Sequence, residues 1–177
     1  MSKNYYTEIV ADQNTVELLD GVAFRWFDYG ELAAGGIKEY LIYIPENVNV
    51  FFYGRSFASR LADMRLEVFA NPTFSSEGSL MLSRIFNRNS DSPNVTNVSI
   101  WQDPVLISDG DLIDFDETAG SSGGGAKGSV GSDTTQEFPR LMPRGIYLLA
   151  RITNLSEDNI AARYVYKLFW SELVGEN

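Results

Sequence analysis

Cysteine and histidine are both absent from the 177 residues. Without cysteine there is no disulfide framework, no thiolate nucleophile and no thiolate-held metal, and nothing demands an oxidising compartment. Without histidine the commonest general base and the commonest transition-metal ligand near neutral pH are missing, so catalysis would have to rest on carboxylates, Lys or Tyr. Positive charge is scarce too: 14 Lys and Arg stand against 24 Asp and Glu, a formal net charge of -10. Affinity for nucleic acid comes largely from Lys and Arg displacing phosphate counterions, so this balance argues against such a partner. Nowhere do apolar residues run for the roughly 18–20 positions of a membrane helix. The opening stretch Met1 to Tyr6 lacks the apolar core of a signal peptide. The expectation is a chain off the membrane, assembled in the cytosol.

What is present fits one globular domain, with 44% hydrophobic and 21% charged residues. Short apolar or alternating segments separated by Gly, Pro, Asn, Asp and Ser recur along the chain, the spacing of a sandwich or barrel. The clearest strand is Asp63 to Phe69, where Met64, Leu66 and Val68 alternate with Asp63, Arg65 and Glu67. The same two-residue period runs through Ile146, Leu148, Ala150 and Ile152, and again from Ile160 to Trp170, with Asn154 to Asn159 reading as a hairpin between them. Ile37 to Ile44 and Val48 to Phe57 read as another pair joined by Pro45, Glu46 and Asn47, apolar on both faces. Such strands lie in an interior or at a subunit contact, which makes Tyr43, Phe51, Tyr53 and Phe57 candidate interface residues. Val22 to Phe27, Leu80 to Phe86, Val95 to Trp101 and Leu112 to Phe115 bring the expected total to about nine strands. The domain is expected to span 22–177. Residues 1–21, carrying Glu8, Asp12, Glu17 and Asp20 beside Val16, Leu18 and Leu19, read as an arm docked on a neighbouring copy or as a first strand.

Residues 120–131 are nearly all Gly and Ser and read as a flexible loop. Its Lys127 invites comparison with a phosphate-binding loop, but it follows Ala126, precedes Gly128 and opens no helical pattern, so no nucleotide site is expected. Asp109, Asp111, Asp114, Asp116 and Glu117 form the densest acidic cluster. Their spacing does not match the helix–loop–helix calcium pattern, and they read as solvated turn carboxylates. No metal, cofactor or catalytic residue is therefore expected. A carboxylate-based glycoside hydrolase would need two facing carboxylates that the sequence does not single out. Asn94, Asn97 and Asn154 head glycosylation triplets but read as turn and strand polars. The 11 Phe, 9 Tyr and 3 Trp suit β cores and protein interfaces first, and an aromatic surface for carbohydrate second.

Three stretches carry a family resemblance: Glu67 to Thr73 with Glu77 to Leu80, then Phe86-Asn87-Arg88-Asn89-Ser90, then Thr153 to Ser156 leading to Phe169-Trp170-Ser171-Glu172. In this order they resemble small virion structural proteins of tailed bacteriophages, over roughly residues 37–172. The resemblance implies a jelly-roll-like antiparallel sandwich that assembles on the head or tail as a capsid decoration or fibre-base protein. It implies a virion location after assembly in the bacterial cytoplasm, a homotrimer, a capsid or tail partner, and no catalytic residues. Arg88 then reads as a bridge between strands or subunits, and Lys127 joins the interface set with the glycine-rich loop. The alternatives are a carbohydrate-binding module or receptor-binding tip for host-surface carbohydrate, and the glycoside hydrolase.

Overall fold

The computed structural model describes residues 20–118 and 140–174. Residues 1–19 of the expected arm or first strand over 1–21, and the glycine-rich stretch 120–131 with Lys127, lie outside them. Within them the chain is an antiparallel β-sandwich of thirteen strands with one 3-10 turn at Leu82–Arg84. The strands are β1 (Ala23–Leu32), β2 (Ile37–Ile44), β3 (Val48–Arg60), β4 (Met64–Ala70), β5 (Thr73–Ser76), β6 (Ser79–Leu80), β7 (Ile85–Asn87), β8 (Ser99–Gln102), β9 (Val105–Ser108), β10 (Asp111–Thr118), β11 (Arg140–Leu141), β12 (Ile146–Asn154) and β13 (Ala162–Val174). Sheet A has the order β11-β3-β13-β1-β7, sheet B the order β10-β4-β12-β2-β8-β6, and β5 pairs with β9 alone. The count exceeds the expected nine because residues 71–110 contribute strands of two to four residues, too short to show a period. Leu80 to Phe86, expected as one strand, is split by the 3-10 turn between β6 and β7.

Between the sheets the two-residue period does what it implies: alternate side chains of each strand point into one core. Sheet A contributes Phe24, Trp26, Val50, Phe57, Tyr166, Leu168 and Trp170, and sheet B contributes Tyr40, Ile42, Ile44, Met64, Leu66, Leu148 and Ile152, all buried. Trp26 meets Tyr40 edge-on at 4.9 Å and Tyr166 at 5.5 Å, and burying each such side chain stabilises the fold by about 1.5–3 kcal/mol. Val68 and Ile146, placed inside by the same period, are only partly buried.

Two expected hairpins are crossings instead. Pro45 to Asn47 carries the chain from β2 in sheet B to β3 in sheet A, and residues 155–161 carry it from β12 in sheet B to β13 in sheet A. Asn154 explains the second crossing. Its buried amide donates to the carbonyls of Leu32, Ala33 and Ile160 at 2.9, 3.1 and 2.9 Å, and its Oδ1 accepts from Ser156 N at 3.0 Å. One side chain thus ties this connection to the β1–β2 turn, and the backbone has no neighbouring strand to fold back on.

The centre of the outer face of sheet B is not left to solvent, although Ile37 and Phe115 at its margins are exposed. Leu41 of β2 and Leu149 of β12 are register partners pointing away from the main core, yet both are fully buried. With Phe69 they form a second apolar layer. Tyr147 packs on Tyr43 at 4.8 Å, Phe74 at 4.9 Å and Trp101 at 6.3 Å, so the β5–β9 pair lies over sheet B as a third layer. Arg151 clamps it there, donating to both oxygens of Asp109 at 2.7 and 2.6 Å and to Glu39 at 2.7 Å. That pairing holds the Asp109 carboxyl below its ordinary value, with the hydrogen bonds from Arg151 the leading cause. The two-faced apolarity of Ile37 to Ile44 is satisfied by the chain itself.

Candidate functional site

The outer face of sheet A has no such cover among the described residues. Its outward positions follow from the register: Arg25, Phe27, Tyr29 and Glu31 on β1, Arg163, Val165, Lys167 and Phe169 on β13, Phe51 and Gly54 on β3, Phe86 on β7. A bulge modifies this pattern on β3. Phe169 pairs with Gly54 and Trp170 with Phe52, which leaves Tyr53 as an extra residue. The bulge reverses the phase of the strand, so Val48, Val50 and Phe52 point inward before it and Arg55, Phe57 and Ser59 after it. Tyr53 itself turns out against Phe169, at 6.4 Å between rings.

This reversal corrects one expected site residue. Strict alternation puts Phe51, Tyr53 and Phe57 on one face, but Phe57 lies in the core with no exposed surface, so it offers nothing to a neighbour. Tyr43 is also removed from that set, because it sits on the far sheet beneath the third layer. Phe51, Tyr53 and Arg88 are brought together on sheet A. Arg88, whose backbone amide donates to Ala23 O, reaches across β1 and β13 to donate to Tyr53 Oη at 2.6 Å, with its guanidinium 5.6 Å from that ring. The strap passes over Ala23 and Ser171, register partners that are small and buried. Alternation of the strands holds the signal for the rest of the face, which the sequence reading missed: Arg25, Phe27, Phe86, Lys167 and Phe169.

Phe27 and Phe86 stack at 5.7 Å with Arg25 over Phe86 at 5.6 Å, and at the rim Arg84 lies over Tyr29 at 5.5 Å. Each cation–ring contact is worth about 0.5–1 kcal/mol at an exposed site. Tyr29 is 63% and Phe86 40% exposed. Arg163 pairs with Glu31 at 3.0 Å, whereas neither Arg25 nor Lys167 has a carboxylate partner among the described residues. The result is an aromatic face carrying positive charge on a chain whose net charge is -10. A surface of Tyr, Phe and Arg with few acids has the composition of the centre of a protein interface.

Two buried carboxylates have structural partners. Asp28 accepts from Tyr40 Oη at 2.5 Å, lies within 3.5 Å of Tyr164 Oη, and is ion-paired to Arg84. Tyr40 and Tyr164 are joined at 2.9 Å, and burial pushes both phenols up, Tyr40 well above its ordinary range. Gly30 makes this possible, since a Cβ there would lie 2.9 Å from the Tyr164 hydroxyl oxygen. Glu172 accepts from Asn97 N and Nδ2, both at 2.8 Å, from Trp170 Nε1 at 2.9 Å, and from Thr96 Oγ1, which fixes the loop before β8. Both share the inward phase of their strands, so the period that located Trp26 and Trp170 locates them as well.

Most of the acidic cluster, expected as solvated, is engaged in ion pairs, whereas Asp111 is exposed. Arg55 ion-pairs with Asp114, at 3.0 Å, and with Asp116, Arg65 pairs with Glu117 at 2.6 Å, and Asp109 belongs to Arg151. Arg55 to β10 is a link between the two sheets along one side of the sandwich. Among the described residues no group of three or more carboxylates is placed to hold a metal ion. No protein-family model matches the chain, and no curated protein matches it.

Proposed function

We propose that this chain is a non-enzymatic structural subunit of a bacteriophage particle, a capsid decoration or head or tail accessory protein that works as a homo-oligomer and is assembled in the bacterial cytoplasm. The observation that carries the reading is the asymmetry of the sandwich: sheet B buries the centre of its outer face under the chain's own third layer, while among the described residues nothing covers the aromatic, cationic outer face of sheet A. A chain that can bury an apolar sheet face and leaves the other open is suited to filling it with another protein. The strand order favours a jelly roll, since β11-β3-β13-β1 facing β10-β4-β12-β2 is the order of two interleaved Greek keys, with β5 to β9 as an insertion. The resemblance to small virion proteins supplies the particle and the trimer.

Light scattering on the full chain after size exclusion tests the oligomer, with a mass near three times 19.8 kDa expected. A strict monomer at high concentration would overturn it. A receptor-binding reading is favoured by one feature, the exposed Tyr29 and the Tyr53–Arg88 pair on the outer face of sheet A. Saturation-transfer NMR with bacterial surface oligosaccharides tests that reading, the expected contacts falling on those tyrosines.

A further inference from the structure

We infer that the outer face of sheet A receives residues 1–19 of a neighbouring copy, an inference that rests on the homo-oligomer reading above. Charge is the first argument. Arg25 and Lys167 flank Phe27 and Phe169 in register and lack carboxylate partners among the described residues. Residues 1–19 supply the complement: Glu8, Asp12 and Glu17 against Lys3 alone, interspersed with Tyr5, Tyr6, Ile9, Val10, Val16, Leu18 and Leu19. Acids that find Arg25 and Lys167 bring these apolar side chains onto exposed Phe86, Tyr29 and Val165.

Length and point of departure are the second argument. Nineteen residues reach at most about 60–70 Å. The face is shorter, since strands of 10 and 13 residues run about 33–43 Å. The segment is therefore long enough to leave one subunit and cross the face of the next. It departs where the carbonyl of Gly21 is held by Asn87 Nδ2 at 2.8 Å and Asn94 Nδ2 at 3.2 Å, at the end of β1 beside the Arg88–Tyr53 strap. To turn back onto its own face it would have to climb over that strap, whereas among the described residues nothing bars the same face on a neighbour from its other end.

The test uses the full chain. Equal amounts of 14N- and 15N-labelled protein are mixed in denaturant, refolded together so that subunits assemble at random, and treated with a zero-length carbodiimide, and cross-links of Lys167 are read by mass spectrometry. Cross-links from Lys167 to Glu8, Asp12 or Glu17 in mixed-isotope pairs are expected. In parallel, Arg25→Glu with Lys167→Glu should raise the oligomer's dissociation constant at least tenfold with the β circular dichroism unchanged, and adding Glu8→Lys, Asp12→Lys and Glu17→Lys should restore assembly. Cross-links confined to same-isotope pairs would mean that each chain covers its own face and would overturn the inference. An oligomer indifferent to the charge reversal, with no such cross-links, would overturn it while leaving the homo-oligomer intact. A monomeric wild-type protein would remove the homo-oligomer and the inference together.

Discussion

Replacing Leu149 by alanine asks whether the third layer over sheet B is a closed core. Leu149 points away from the sandwich interior, so it would be a surface residue in a two-layer fold, and its truncation would then cost no more than about 0.5 kcal/mol. In the structure it is fully buried between Leu41, its partner on β2, and the β5–β9 layer. The substitution should therefore remove buried methyl groups and leave a cavity, at a cost of about 3 kcal/mol. In a domain of this size that corresponds to a fall in Tm of roughly 6–12 °C. Urea unfolding followed by tryptophan fluorescence measures it, with Ile107→Ala as the control, since Ile107 on β9 of the same layer is 73% exposed and should change stability by about 0.5 kcal/mol or less. Leu41→Ala combined with Leu149→Ala should fall short of additivity by at least about 0.5 kcal/mol, because the two cavities merge. If Leu149→Ala and Ile107→Ala prove equally mild, the layer does not seal the sheet, and the account of why Ile37 to Ile44 is apolar on both faces fails.

Glu172→Gln places an amide donor among the donors of Asn97 and Trp170, so it should lower stability by about 2–4 kcal/mol and shift the Trp170 indole proton resonance, while an unmoved resonance would refute the assigned contact. Burial and the hydrogen bond to Glu77 push the Tyr147 phenol up to about 12. The protonated form is the one the fold favours, so this stabilisation is complete below about pH 10, the ordinary tyrosine value, and is lost as pH rises through about 12. The wild-type denaturation midpoint should accordingly fall more steeply than that of Tyr147→Phe between those values, and parallel curves would show that the phenol is not held.

Much of the architecture was legible because each strand carries its own period. Ile37 to Ile44 appears in the structure with the bounds read from its apolar run, and the alternation in Ile146 to Ile152 and Tyr164 to Trp170 marks the inward face almost residue by residue. Pairing was not legible, since a three-residue connection such as Pro45 to Asn47 looks the same whether it turns a hairpin or crosses between sheets. At the second crossing the connection is held by Asn154, whose partners at Leu32 and Ala33 are distant in sequence. The candidate face was half legible for a similar reason. Phe51, Tyr53 and Arg88 stood out, but one extra residue at Tyr53 reverses the phase of β3 and sends Phe57 inward, and nothing local in Phe51 to Phe57 announces the bulge.

The pairing of β1 with β13 bears on how the chain is made as well as how it stands. Phe24 and Trp26 leave the ribosome long before the strand they lie against, where Trp170 and Leu168 are their register partners. At about 5–20 residues per second the interval of about 150 residues lasts roughly 7–30 s, during which β1 has only its short partner β7 available. Sheet A therefore cannot close until β13 has been made. Over that interval β1 waits without its long partner, in an aggregation-prone state, and closing the sheet proceeds at the slow rates set by long-range strand pairing.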